Sequence, residues 1–187
     1  IMFDGTAEEL KETKVTQPAV FLHSVILAKT LENFKPEMVA GHSLGEYSAL
    51  VAAGALDFES AIRLVHLRGK FMEQAVPGGA GTMAAVLGLD EIQIENILKE
   101  CPGKVQIANY NCPGQTVISG ETASVKAASE KLSAAGAKRV IPLAVSGPFH
   151  SELMKPAAEA LKKELASVNL KDPQIPVVAN VTADYVT

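Results

Sequence analysis

Val39-Ala40-Gly41-His42-Ser43-Leu44-Gly45-Glu46-Tyr47 decides the reading of this 187-residue chain. Within it, Gly41-His42-Ser43-Leu44-Gly45 fits G-x-S-x-G, the pattern of a very tight turn from a strand into a helix. Such a turn holds its tip residue in a strained backbone conformation, and the flanking glycines let neighbouring backbone pass close by. The Ser43 hydroxyl is then displayed at the helix start. The amide of Leu44 points the same way, where the helix dipole favours a developing oxyanion. The flanks supply the required context. Residues 37–40 read as a short buried strand after the breaker Pro36, and residues 44–53 as a helix that stops at Gly54. The five-residue pattern alone also fits a glycine-bracketed turn carrying a surface serine.

Composition sets the outer bounds. With 48% hydrophobic and 20% charged residues, the chain can bury a sizeable core. A net charge of −4 argues against a nucleic-acid partner, which usually needs a basic surface. Two cysteines, Cys101 and Cys112, lack metal-type spacing and read as free thiols of a reducing compartment. That predicts a cytoplasmic location and no metal. The longest apolar stretch, 19–28, is interrupted by His23 and Ser24 and is too short to span a bilayer.

Taken in order, residues 1–14 read as polar loop with a helical turn at 7–10. Thr16 is placed as the cap of a helix over 17–31, with Pro18 in its first turn. That helix is apolar nearly all round and is expected to be buried. Asp57 caps the next helix, which runs to about Gln74 with an apolar stripe of Ala61, Val65 and Met72. Arg68 lies on that stripe. An inward arginine is expensive unless it meets an anion; at the edge of the stripe it would instead snorkel to water. Pro77-Gly78-Gly79-Ala80-Gly81 reads as a linker. Beyond it come strand 82–87, helix 91–99, strand 104–110, strand 116–119, helix 123–135 and strand 139–143. This β-α-β-β-α-β order is the ferredoxin-like arrangement. The expected organisation is an α/β protein: a large domain from 1–81 and 146–187 around a parallel sheet, with a small ferredoxin-like subdomain at 82–145. A helix over 152–167 and a strand over 175–181 complete the large domain.

An activated serine needs a base. His23 lies inside a helix, and the His42 side chain should diverge from that of its neighbour Ser43. His66 does not share the helical face of Arg68. His150 sits in the rigid loop Ser146-Gly147-Pro148-Phe149-His150-Ser151, just before a helix, and is the best candidate; a structural histidine fits the same pattern. Asp172 and Asp184 follow it without a persuasive context for orienting an imidazole, and a backbone carbonyl could do so instead.

The blocks Gly41-His42-Ser43-Leu44-Gly45-Glu46-Tyr47-Ser48-Ala49-Leu50, Leu67-Arg68-Gly69, Asn109-Tyr110-Asn111-Cys112-Pro113-Gly114-Gln115 and Gly147-Pro148-Phe149-His150-Ser151 occur in this order. Together they resemble the malonyl-CoA:acyl carrier protein transacylase family, which includes the acyltransferase domains of fatty-acid and polyketide synthases. The resemblance covers residues 3–183 and implies a hydrolase-like α/β core with a ferredoxin-like insertion. It implies Ser43 as nucleophile, His150 as general base and acid, and the Leu44 amide as an oxyanion donor. It implies Arg68 as the holder of the malonyl carboxylate. Asn109 matches a polar residue beside the cleft, and Phe149 a bulky residue that goes with malonyl rather than methylmalonyl selection.

The implied reaction is ping-pong transfer of malonyl from malonyl-CoA, through a serine ester, to the phosphopantetheine thiol of an acidic acyl carrier protein. It needs no metal or redox cofactor, and no membrane or nucleic acid takes part. Lys138, Arg139, Lys155, Lys162 and Lys163 are candidate carrier-facing cations. Two family features do not occur within residues 1–187: an N-terminal Gly-Gln-Gly-Ser-Gln-type loop and a later glutamine that orients the histidine. The expectation is therefore a chain truncated at both ends. A serine esterase or thioesterase, or an inactive core fragment, is the competing expectation.

Overall fold

The computed structural model describes residues 1–33 and 35–186. Contacts divide the chain into two compact units, Ile1–Lys70 with Ala160–Thr187, and Phe71–Glu159.

The first unit opens with α1 (Ala7–Lys11), whose Thr6 and Glu9 form a reciprocal capping box. Helix α2 (Thr13–Thr30) starts earlier than the sequence reading placed it. Thr16 is not its cap: it lies inside the first turn, where its hydroxyl donates to the carbonyls of Leu10 and Glu12. Pro18 accordingly falls inside the helix. Nor is α2 buried all round. Phe21 and Val25 enter the core, while Val20, Ile26 and Leu27 are about half exposed. The core of this unit is a stripe one helix face wide, in which Phe21 and Val25 meet Leu44, Leu56, Ala61, Leu64 and Val65. The Phe21 and Phe58 rings stack with centroids 5.8 Å apart.

Strand β1 (Val39–Ala40) leads into the turn and then α3 (Gly45–Ala52). It pairs in parallel with β6 (Val177–Val178), in the register Val39 to Val177 and Ala40 to Val178. The expected strands at 37–40 and 175–181 are thus present but short, and the first is not buried as expected: Val39 is half-buried and Ala40 exposed. Helix α4 (Phe58–Ala75) is capped as read from sequence: the Asp57 carboxylate accepts the Ser60 amide proton at 2.8 Å.

The second unit holds β2 (Gly81–Leu87), α5 (Glu91–Lys99), β3 (Val105–Cys112), β4 (Gln115–Glu121), α6 (Thr122–Ala134) and β5 (Arg139–Pro142). The four strands form one antiparallel sheet in the order β3-β4-β2-β5. That is the expected ferredoxin-like subdomain. Its core joins Ile94 and Leu98 of α5, and Val125, Ala128 and Leu132 of α6, to Ala84, Val86 and Ile118 of the sheet. The spacings i, i+4 and i, i+3, i+7 put each set on one helix face. A 3₁₀ turn (Glu152–Met154) then leads into α7 (Lys155–Leu165), whose Ala157 packs with Met154, Met72 and Phe149. No described helix is long and apolar enough to cross a membrane.

The turn between β1 and α3 separates the roles of its two glycines. A Cβ on Gly41 would lie 1.9 Å from the carbonyl carbon of Gly45, whereas one on Gly45 would meet nothing within 4 Å. Close approach therefore explains Gly41 and not Gly45. Gly41→Ala should destabilise the chain by about 2 kcal/mol or more, as overpacking against backbone does. Gly45→Ala should be neutral or stabilising, by up to about 1 kcal/mol from helix propensity. Urea denaturation of both variants checks the contrast.

The α4 cap gives a pH-dependent prediction. Hydrogen bonds from the Ser60 amide, chiefly, hold the exposed Asp57 carboxyl below the ordinary aspartate value. A depressed carboxyl pKa contributes stability above the unfolded-state value, and loses it as the pH falls through the folded-state value. Asp57→Ala should therefore lower Tm at neutral pH. The gap from the parent should close in the acid range below the ordinary aspartate value, as thermal melts across pH would report.

Candidate functional site

Ser43 has φ of 53°, the left-handed region that a non-glycine residue seldom occupies. Two contacts fix the peptide preceding it. The His42 carbonyl accepts the Gly45 amide proton at 2.9 Å, and the Ser43 amide donates to Oδ1 of Asn180 at 2.8 Å. The peptide after it is held by its carbonyl, which accepts from the Glu46 amide at 3.2 Å. The Leu44 amide therefore stands at the N-terminus of α3, among the amides a helix cannot satisfy from its own ladder. Beside the turn lies an open cleft of about 300 Å³, lined by Gly41, His42, Val178, Ala179 and Asn180 among others.

Arg68 reaches the serine. Its Nη2 donates to Ser43 Oγ at 3.1 Å, and its Nη1 donates to Oε1 of Gln17. The local reason is its neighbour Gly69. A Cβ there would lie 2.9 Å from Cα of Lys14, so α4 passes the first turn of α2 backbone to backbone. Gln17 is one turn further along α2. The Arg68 side chain is part-buried and turned towards Ser43 and Gln17. Burial pulls the guanidinium pKa below its ordinary value, while the neighbouring Tyr47 and Glu46 act to raise it. Burial likewise pushes the Tyr47 phenol up, opposed by Arg68. The result is a desolvated cation at a neutral hydroxyl, next to a phenol that stays protonated at neutral pH.

The second unit carries the other expected residues. His150 is exposed, with φ of 56°, at the end of a turn whose anchors are buried. Pro148 is fully buried, and buried Ser151 donates its hydroxyl to the Pro148 carbonyl at 2.7 Å. The Glu152 amide donates to Oε1 of Gln106 on β3 at 2.9 Å, tying the segment just after His150 to the sheet. Phe149 packs against the Met72, Met154 and Ala157 cluster. Asn109 sits on β3 just past a register shift between Ile107 and Asn109. Such an irregularity re-aims the side chains that follow it.

The structure thus gathers Ser43, Leu44 and Arg68 in the first unit, and His150, Phe149 and Asn109 in the second. His23, His42 and His66 are exposed. Lys138, Arg139, Lys155, Lys162 and Lys163 are exposed as well, the first three in the second unit and the last two in the first. Cys101 and Cys112 are free thiols. Sequence reasoning missed Gln17, Gln106 and Asn180. Each acts through a partner distant in sequence, so no local spacing marks it.

Known proteins are similar to this chain in sequence and fold. Malonyl CoA-acyl carrier protein transacylase of Bacillus subtilis is 53% identical, aligned over 100% of this chain and 61% of that protein. The protein of the same name from Escherichia coli K12 is 51% identical over 95% of this chain and 59% of its own length. The structure of the Coxiella burnetii malonyl CoA-acyl carrier protein transacylase superposes with a TM-score of 0.95 at 43% identity, covering 98% of this chain and 60% of that one. A malonyl-transacylase in complex with a type II polyketide-synthase acyl-carrier protein gives a TM-score of 0.96 at 48% identity, over 98% and 61% of the two chains. The chain therefore spans about 60% of the length of the curated relatives it matches. The family model described as acyl transferase domain matches residues 1–187, and the chain belongs to that acyltransferase family.

Proposed function

We propose that this chain carries the catalytic serine of a malonyl transfer from malonyl-CoA to the phosphopantetheine thiol of an acyl carrier protein, in fatty-acid or polyketide synthesis. The observation that carries the reading is the enclosed guanidinium of Arg68 at 3.1 Å from Ser43 Oγ. A desolvated cation beside a nucleophile suits an acyl group that ends in an anion. The naming of relatives as malonyl CoA-acyl carrier protein transacylases supports it, and a neighbouring structure that contains a carrier protein supports the partner. The two free thiols support a reducing compartment, the cytoplasm.

On this reading His150 takes the Ser43 proton as Oγ attacks the thioester carbonyl. The Leu44 amide donates to the resulting oxyanion. Collapse breaks the carbon–sulfur bond, and the imidazolium returns its proton to the departing coenzyme A thiolate. The carrier's thiol then attacks the malonyl-serine ester by the same steps in reverse, giving ping-pong kinetics. Carbon stays at one oxidation level throughout, so the transfer requires neither electrons nor a redox group.

Arg68 contributes selection. In the free chain it donates to a neutral hydroxyl and an amide oxygen. A malonyl carboxylate offers it charge-assisted, bidentate bonds instead, which are stronger than those to neutral acceptors. Arg68→Ala should lower the rate of malonyl-Ser43 formation by roughly 10- to 100-fold, the worth of a hydrogen bond to a charged group. Acetyl transfer from acetyl-CoA should be spared or raised. Parallel loss with both donors would remove the proposed role. Rapid-quench intact-mass measurement with each donor reads it.

A serine esterase or thioesterase shares the turn but has no use for the enclosed arginine. Incubation with malonyl-CoA and a pantetheine thiol separates the two. Transfer to the thiol should outrun hydrolysis, and Ser43→Ala should abolish the acyl adduct located by peptide mapping. Hydrolysis that ignores the added thiol would favour the esterase.

A further inference from the structure

The Ser43 amide needs a partner that α3 cannot supply, and it finds one 137 positions later. Asn180 lies two residues beyond β6, whose parallel pairing with β1 brings the ends of both strands to the same edge. The segment that bears it is folded back on itself. The Ala179 amide donates to the Asp184 carbonyl at 2.8 Å, the Ala183 amide to the Ala179 carbonyl at 2.9 Å, and the Val186 amide to the Val177 carbonyl at 2.9 Å. Val178 and Tyr185 bridge across this turn. The Asn180 side chain thus leaves a closed, hydrogen-bonded turn, and its Oδ1 accepts from Ser43 at 2.8 Å. The same peptide is held at its other end, where the His42 carbonyl accepts from Gly45. With both ends of that peptide occupied, rotation at Ser43 towards ordinary negative φ would break at least one bond.

We propose that Asn180 is the positioning residue of the nucleophile. It keeps Ser43 in the left-handed conformation in which Oγ faces Arg68 and the Leu44 amide stands at the helix end. The assignment rests on the reading of Ser43 as the residue acylated. Asparagine fits the role better than aspartate for an electrostatic reason. Both accept a hydrogen bond, but a carboxylate would set a negative charge beside the oxyanion that the Leu44 amide is to receive.

The test compares the parent chain with Asn180→Ala and Asn180→Asp. Three readouts apply: hydrogen–deuterium exchange at the Ser43 amide, the kcat and KM of acyl-Ser43 formation from malonyl-CoA, and Tm. Asn180→Ala should exchange the Ser43 amide about tenfold faster and lower kcat about tenfold or more, as loss of one ordinary hydrogen bond does. KM should stay near the parent value, because Arg68 still binds the carboxylate. Asn180→Asp keeps an acceptor and should retain the amide's protection and Tm, yet show a kcat below that of the parent. This split between protection and rate is one that a merely structural asparagine would not produce. Parent-like exchange and kcat in Asn180→Ala would overturn the proposal. So would loss of Ser43 protection in a folded Asn180→Asp variant, which decides the matter if the alanine variant fails to fold. If the parent itself takes no malonyl from malonyl-CoA, the functional reading falls while the exchange comparison still judges the clamp.

Discussion

A single residue in a disfavoured backbone conformation sets the terms for the first unit. Left-handed geometry at a residue with a Cβ costs about 1–2 kcal/mol, and it persists only where the surroundings over-determine it. Strand β1, two residues long, cannot hold Ser43 there alone. The geometry is fixed instead from three sides. β6 supplies a parallel neighbour, and Asn180 beyond it grips the preceding peptide. Leu44 sinks the start of α3 into the core with Phe21 and Leu56. Gly41 lets the backbone of Gly45 fold over it. Each feature makes sense as a means of displaying one hydroxyl.

The second expense is the arginine. Enclosing a guanidinium is unfavourable unless its donors are engaged. Here Gln17 and Ser43 engage two of them with neutral acceptors. That leaves a site whose charge is hydrogen-bonded but not neutralised by a direct carboxylate contact at either of those nitrogens. Such a resting arrangement is poised for exchange of a neutral acceptor for an anionic one. On the proposed reading the gain on binding an acyl carboxylate is electrostatic, and an uncharged acyl chain cannot collect it. On that reading selection and catalysis share one geometry, because the guanidinium proposed to favour the anion is also in contact with Ser43 Oγ.

Much of this was legible locally. The helix over residues 91–99 matches α5 at both ends, because Asp90 caps it and Ile94, Ile97 and Leu98 repeat at helical spacing. The ferredoxin-like order was readable because apolar strands alternate with helical runs and turns. The G-x-S-x-G pattern gave the strained serine, and the stripe on α4 gave an inward Arg68. Where the reading failed, the deciding physics was not local. Thr16 looked like a cap because it precedes an apolar run, but α2 begins at Thr13 with Glu12 as its flanking residue. Composition predicted full burial for α2, whereas the surfaces actually packed against it cover one face. Gly45 looked as necessary as Gly41 until the space around each could be measured. Gln17, Gln106 and Asn180 were invisible because a hydrogen bond between distant segments leaves no periodic trace.

The placement of the arginine on a helix, rather than a loop, follows from the tolerance the chemistry demands. Catalytic and binding groups lose function when displaced by about 1 Å, so a group proposed to orient an acyl chain needs a stiff support. Along α4 each residue turns the side chain by about 100°, so only one position in a turn can face Ser43. Gly69, immediately after it, brings α4 against the backbone of Lys14 and so sets the depth at which Arg68 enters. Angle comes from helical period and depth from the missing side chain next door. A contact of 3.1 Å between residues 25 positions apart then requires no flexible search by the arginine, because the backbone has already carried it there.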